Sequence, residues 1–158
     1  AGADTLAGAL ILPDAPPPYP AAVIVPGRGF GQTRGAGAAW GTMLARNGIA
    51  ALVFDARGTG ASTGDDSLTT GAQRVEDLSA ALDLLRARPE IRPDAVGVLS
   101  NSAGGWVTPL ALAGRDDVAF WVSLVGPAGF VFVCRRVEWT QKCSAELVGL
   151  ISPCVSTP

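Results

Sequence analysis

The serine at position 102 has the surroundings of a nucleophile. It lies in the stretch VLSNSAGG, residues 98–105. The small residues around it are Ser100, Ala103, Gly104 and Gly105. Small residues let a strand turn sharply into a helix, with the middle side chain held clear of the sheet by a strained backbone. The pattern predicts a nucleophile elbow with Ser102 at its tip. The alternative is a serine that only caps the following helix.

A nucleophilic serine also needs hydrogen-bond donors for the negative charge that develops on the attacked carbonyl oxygen. The backbone N–H of Ala103 is one candidate, because the start of a helix favours negative charge. The other should come from the glycine-rich stretch PGRGFGQTRG, residues 26–35, where Gly27 and Gly29 allow a ligand to approach the backbone. We predict the N–H of Arg28 as this second donor. The alternative is a flexible loop that binds no ligand.

A third glycine-rich motif, FDARGTGASTGD, spans residues 54–65. Its glycines permit consecutive turns with positive φ angles. We expect Asp55 and Arg57 to form hydrogen bonds that hold this loop beside the rim of the site. The spacing indicates structural support rather than a catalytic role for Asp55.

Apolar strands and amphipathic helices alternate along most of the chain. The predicted strands are residues 6–12, 21–27, 49–55, 95–100 and 118–126, and the predicted helices are residues 38–48, 68–90 and 103–114. Strands that are apolar almost throughout are typical of parallel sheets covered on both faces. The sequence therefore predicts an α/β fold with a mostly parallel sheet and helices on both faces.

Composition and net charge limit the kind of protein, the partners and the location to be expected. Apolar residues make up 48% of the 158 residues and charged residues 16%, which favours one folded domain over a disordered chain. A net charge of −2 gives no electrostatic reason to expect nucleic acid or a membrane surface. No signal peptide is visible, which favours the cytoplasm, although a chain that starts at Ala1 is also what removal of a leader leaves.

Taken in order, these three motifs resemble the α/β-hydrolase superfamily. The likeness covers residues 6–129 and is strongest to bacterial esterases of the dienelactone-hydrolase type and to serine-peptidase-like members. It implies that Ser102 is the nucleophile and that the amides of Arg28 and Ala103 form the oxyanion hole. It also implies hydrolysis of small esters through an acyl-serine intermediate, without a metal or an organic cofactor.

The resemblance ends where the family places its acid and its histidine. The chain contains no histidine, and its three cysteines and only lysine all lie within its last 25 residues. We therefore divide it into a hydrolase core, residues 1–129, and a divergent tail, residues 130–158, and expect the late strands of the fold to be missing through truncation or a shifted reading frame. Glu138 and Glu146 are candidate acids by elimination, and Lys142 is a candidate base. Clustered cysteines without histidine argue against a zinc site.

An incomplete sheet would leave the strand at residues 118–126 with a bare edge, which invites aggregation. We expect either a tail strand at residues 130–133 or a second copy of the chain to cover it. A short helix or strand at residues 144–151 is also expected.

Two other functions remain open. One is a hydrolase fragment that lacks its base and acid and is catalytically impaired. The other is a nucleotide-binding module, because VIVPGRGFG follows a strand and ALVFD ends in an acidic residue. Its glycines, however, depart from the dinucleotide-binding spacing, since Gln32 stands where the third glycine belongs.

Overall fold

The computed structural model describes residues 4–29, 32–126 and 129–135. Six strands and three helices lie within these ranges. In chain order they are β1 (Gly8–Ile11), β2 (Tyr19–Val25), α1 (Arg34–Arg46), β3 (Ala50–Phe54), α2 (Gly71–Arg86), β4 (Ile91–Asn101), α3 (Gly104–Leu112), β5 (Phe120–Gly126) and β6 (Gly129–Arg135). The predicted α/β class is confirmed.

The strands form one sheet in the order β1-β3-β2-β4-β5-β6. The four strands at its centre are parallel, whereas β1 and β6 pair antiparallel at the two edges. Helix α1 packs on one face of the sheet, where Leu44 meets the cluster of Ile24, Ala51, Val53 and Leu99. Helices α2 and α3 pack on the other face, over the larger core. The site predicted from the sequence lies where β2, β3 and β4 end.

Two central strands begin earlier than predicted, and each contains a proline. The sequence analysis starts these strands at residues 21 and 95, whereas β2 begins at Tyr19 and β4 at Ile91. The register between them shifts after Tyr19, so that Pro20 and Pro93 both fall in an irregular segment of the ladder. A proline has no N–H to donate and is tolerated in a sheet at such a bulge.

The predicted cover for the edge of β5 is confirmed. Strand β6 pairs antiparallel with β5, from Phe120 opposite Arg135 to Gly126 opposite Gly129. It includes the predicted strand at residues 130–133. The predicted element at residues 144–151 lies outside the described residues, as do Glu138, Lys142 and Glu146. The division of the chain at residue 129 and the pairing with a second copy stay predictions.

Helix α2 holds the middle of the larger core. Thr70 caps it, accepting a hydrogen bond from the Gln73 N–H while the Gln73 side chain accepts one from the Thr70 N–H. One apolar stripe of the helix turns inward: Leu78, Ala81, Leu82 and Leu85 are buried and Val75 is partly buried. Asp77, a charged residue of the same helix, is also buried. No helix among the described residues is long and apolar enough to cross a bilayer.

Two leucines on α2 allow a matched test of this packing. Leu82 is fully buried, whereas Leu84 is 58% exposed. We expect Leu82→Ala to lower the free energy of unfolding by about 3 kcal/mol, because it removes buried methyl groups and leaves a cavity. Leu84→Ala should change it by about 0.5 kcal/mol or less. Urea unfolding followed by circular dichroism measures both, and equal losses in the two variants would contradict the described orientation of α2.

Candidate active site

Ser102 occupies a sharp turn between β4 and α3. Its φ is +49°, in the left-handed region that a non-glycine residue rarely adopts, and its side chain is exposed. The turn is held on both sides: the Ser102 N–H donates to the carbonyl of Leu124 at 2.9 Å, and the Ser102 carbonyl accepts from the Gly105 N–H at 2.9 Å. Such strain persists only where surrounding contacts fix it, and it is common at functional sites. This is the geometry that the sequence predicted for an elbow.

Two residues before Ser102, at the end of β4, Ser100 is fully buried. Its hydroxyl accepts a hydrogen bond from the Trp121 indole N–H at 2.8 Å and lies 3.5 Å from the carbonyl of Val122. These contacts tie the strand that leads into the elbow to the neighbouring strand β5. Trp121 could not be predicted as a partner of Ser100, because no local sequence pattern links residues 21 positions apart.

The glycine-rich loop after β2 lies against the elbow. A Cβ atom placed on Gly27 would lie 3.3 Å from the Asn101 carbonyl oxygen and 3.5 Å from the Ser102 Cβ. A side chain at position 27 would therefore push the loop away from the nucleophile, which accounts for the glycine. At position 104, a Cβ atom would lie 3.0 Å from the Val25 carbonyl oxygen at the end of β2. Gly29 has a φ of +71° and open space around it.

The two predicted oxyanion donors belong to one cavity. Arg28 and Ala103 both line a space of about 200 Å³, together with Pro26. Neither the Arg28 amide nor the Ala103 amide donates a hydrogen bond to any residue in the described ranges. The structure therefore places the two residues, Arg28 and Ala103, on one cavity next to the turn that carries Ser102. Their role as an oxyanion hole stays a prediction.

Asp55 is the support of the loops around this site. Its side chain is 2% exposed and accepts hydrogen bonds from the backbone N–H of Arg34, at 2.6 Å, and of Ala61, at 2.9 Å. The first bond satisfies an N–H group at the start of α1, and the second fixes the loop that follows β3. Gly60 lies so close that a Cβ atom there would be 2.3 Å from the Asp55 carboxylate. The carboxylate thus accepts hydrogen bonds from two segments near the site, and its role as a purely structural support stays a prediction.

The charge of Asp55 is favoured by these contacts. Burial is the largest influence and by itself raises the pKa of the carboxyl group. The hydrogen bonds from Ala61 and Arg34, with the nearby positive charge of Arg34, outweigh burial and lower the pKa below its ordinary value. A carboxyl whose pKa is lowered by folding stabilises the fold above its unfolded pKa, and that contribution is lost as the pH falls.

Arg57 is the second support and is held by acidic residues from two other segments. Its guanidinium donates to both carboxylate oxygens of Asp77 on α2, at 2.8 and 3.0 Å, and to Asp4 at 2.8 Å. The bond to Asp77 is the main reason that the pKa of Arg57 is raised. Both members of the pair are nearly buried, which explains why Asp77 leaves the polar face of its helix. Asp77 and Asp4 are the partners that sequence reasoning missed.

No general base accompanies Ser102 among the described residues. Its Oγ has no hydrogen-bond partner in residues 4–29, 32–126 and 129–135. The same ranges contain no group of three or more cysteine or acidic side chains that could hold a metal ion. The candidate acids and base in the tail lie outside those ranges.

A larger cavity of about 700 Å³ lies between β1 and α2. It is lined by apolar residues of both elements, such as Leu10 and Leu84, and by Arg57 and Asp77 at one end. Neither predicted oxyanion donor lines it, whereas Arg28 and Ala103 both line the smaller cavity. Because Ala103 directly follows Ser102, we place the candidate active site at the smaller cavity.

The fold, with a tight turn between β4 and α3 and a glycine-rich loop beside it, is that of an α/β-hydrolase. A family model described as serine aminopeptidase S33 matches residues 18–157. The chain belongs to this family of serine hydrolases. No curated protein matches the chain.

Solved α/β-hydrolase structures share the fold. A hypothetical protein from Pseudomonas aeruginosa superimposes with a TM-score of 0.69 and 29% identity, over 78% of this chain and 39% of that one. An α/β-hydrolase from Sphaerobacter thermophilus gives 0.60 and 25%, over 78% and 42%. Est1E from Butyrivibrio proteoclasticus, solved with ferulic acid bound, gives 0.62 and 26%, over 72% and 45%. The chain spans less than half the length of each of these structures.

Removal of the Asp55 carboxylate should destabilise the fold. Asp55→Ala removes the shared, charged acceptor of the partly buried Arg34 and Ala61 N–H groups, and we expect the free energy of unfolding at pH 7 to fall by about 3 kcal/mol. The wild type should lose stability below about pH 4, as the carboxyl group becomes protonated. The variant should lose less over the same range. Asp14→Ala, at an exposed loop position, is the control. Urea unfolding from pH 3 to pH 7 tests this, and a wild-type profile in Asp55→Ala would contradict it.

The bond between Ser100 and Trp121 can be measured with a double-mutant cycle of Ser100→Ala and Trp121→Phe. We expect a coupling free energy of about 1 kcal/mol in urea unfolding, as for a buried neutral hydrogen bond. Ser123 provides the matched control: it is fully buried opposite Ser100, and its hydroxyl has no partner among the described residues. Ser123→Ala should be nearly neutral. No coupling in the cycle, or an equal loss in Ser123→Ala, would contradict the assignment.

Proposed function

We propose that this chain is a carboxylesterase-type serine hydrolase in which Ser102 attacks small esters. The observation that carries the proposal is the left-handed, exposed Ser102 beside a loop whose Arg28 amide, like that of Ala103, is without an acceptor in the described ranges. Membership of a serine hydrolase family supports it, as does the similarity to Est1E, a structure solved with ferulic acid bound.

In this proposal the Ser102 Oγ adds to the ester carbonyl carbon, and the carbonyl oxygen becomes an oxyanion. The N–H groups of Arg28 and Ala103 stabilise that charge more in the transition state than in the bound ester. The carbon–oxygen bond to the alcohol then breaks, which leaves the acyl group on Ser102. Water attacks the acyl-serine and releases the acid, which restores the hydroxyl.

Proton transfer is the step for which the described residues offer no group. A serine hydroxyl is a weak nucleophile unless a neighbouring base removes its proton, and the chain contains no histidine. If no other base acts, the proton leaves to water or hydroxide. Residual catalysis then comes from the oxyanion hole and substrate binding, at a rate far below that of a complete triad. The second candidate function, an impaired hydrolase that is acylated but turns over poorly, rests on this observation.

The nucleophile is tested with a fluorophosphonate, which phosphonylates an activated serine, followed by mass mapping of the adduct. We expect one adduct, on Ser102, in the wild type and in the control Ser67→Ala, which changes an exposed serine remote from the elbow in sequence. Ser102→Ala should remove it. No adduct in the wild type, or an adduct that survives Ser102→Ala, would overturn the proposal.

The dependence of labelling on pH identifies the proton acceptor. If hydroxide is the only base, the rate should rise steadily from pH 6 to pH 9, because no protein group titrates in the step. A plateau that disappears in Lys142→Met would instead assign Lys142 as the base and contradict hydroxide as the only acceptor. Hydrolysis of a short-chain nitrophenyl ester separates the two candidate functions: repeated turnover indicates an esterase, and a single burst indicates the impaired form.

A further inference from the structure

The cavity beside Ser102 has an apolar wall and a charged end. Val25, Phe54, Ala56 and Val107 form the wall, and Arg28, Arg74 and Asp77 contribute the charged groups. At about 200 Å³ it is smaller than the pockets that hold drug-sized ligands. Ser102 itself does not line the cavity, but the next residue, Ala103, does, so an acyl group attached to Ser102 would enter the cavity at its Ala103 end. The size therefore favours a short acyl chain.

Two of the three charges are already neutralised. Arg74 forms an ion pair with Asp66 at 2.6 Å, and Asp77 forms one with Arg57 at 2.7 Å. Arg28 has no ion pair or side-chain hydrogen bond with any residue in the described part of the chain. Among the described residues that line the cavity, Arg28 is therefore the one charged residue without an ion-pair partner, and its backbone N–H is also the predicted oxyanion donor.

The start of α2 adds to this field. Gly71, the first residue of the helix, lines the same cavity, and neither α2 nor α3 carries an acidic residue in its first turn. Helix N-termini favour negative charge over distances of about one turn. A neutral acyl chain would contact only the apolar wall, and the Arg28 guanidinium would remain hydrated.

Resting on the proposed function, we propose that Arg28 selects esters whose short acyl chain ends in a carboxylate. The guanidinium donates two hydrogen bonds to such a carboxylate, while the acyl chain lies along the apolar wall and the ester carbonyl lies at Ser102. Arg28 then has two separate roles: its backbone N–H faces the oxyanion, and its side chain determines specificity. Half-esters of dicarboxylic acids are the substrate class that follows.

The test compares two activated esters that differ only at the far end of the acyl chain. One is p-nitrophenyl hydrogen adipate, which ends in a carboxylate, and the other is p-nitrophenyl 6-oxoheptanoate, which ends in a neutral methyl ketone. The readout is the rate of acylation of Ser102, followed by mass spectrometry. We expect the wild type to prefer the anionic ester about fivefold at low salt, the advantage of a partly exposed ion pair.

The ratio of the two acylation rates, anionic ester over neutral ester, measures the effect of the Arg28 side chain better than either rate alone. It should fall to about one in Arg28→Gln and below one in Arg28→Glu, because the second change repels the carboxylate. Arg46→Gln is the matched control, since Arg46 is also an exposed arginine without an ion pair in the described ranges, at the far end of α1. It should keep the wild-type ratio. Added salt should reduce the ratio in the wild type.

The outcomes separate this inference from the proposed function. Acylation of Ser102 by both esters at equal rates, or a preference that survives Arg28→Gln, overturns the role of Arg28 and leaves the nucleophile in place. Acylation by neither ester, in a chain whose circular dichroism shows it folded, overturns the proposed function and the inference with it.

Discussion

The left-handed backbone at Ser102 is the constraint on which the rest of the site depends. A non-glycine residue in this conformation costs on the order of 1–3 kcal/mol and persists only if its neighbours hold it. Here the Leu124 carbonyl accepts from its N–H, and Gly105 donates to its carbonyl. Two residues before Ser102, the hydroxyl of Ser100 accepts a hydrogen bond from the Trp121 indole of β5. The elbow is therefore fixed by β5 as much as by its own sequence, and β6 in turn covers the edge of β5.

The loops that face the elbow are held by buried ionic groups. The Asp55 carboxylate joins the start of α1 to the loop after β3, and Arg57 joins that loop to α2 through Asp77. Neither residue reaches the nucleophile in this arrangement. They hold the loops around the cavity that Arg28 and Ala103 line. In the proposed reaction, backbone amides rather than mobile side chains would then face the reacting carbonyl. Fixed donors of this kind need no reorganisation during the reaction.

The sequence could predict what depends on local patterns. Buried strands, helix stripes, the elbow and the two glycine-rich loops each have a signature within a few residues, and their order pointed to an α/β-hydrolase. Partners far apart in the chain have no such signature, so Asp77 and Trp121 were missed although each makes a buried contact in the site's support. The starts of β2 and β4 were predicted too late for a different reason. Proline is excluded from a regular central strand, and Pro20 and Pro93 fit only because the register between these two strands is irregular at that point.

The central claim is that one strained serine and two backbone amides form a single reaction centre. The most direct measurement is a crystal structure of the chain after phosphonylation of Ser102, since the phosphoryl oxygen then occupies the position of the oxyanion. The account predicts that this oxygen lies about 3 Å from the amide nitrogens of both Arg28 and Ala103. A phosphoryl oxygen that faces solvent, or that is bound by other groups while both amides stay unoccupied, would contradict it.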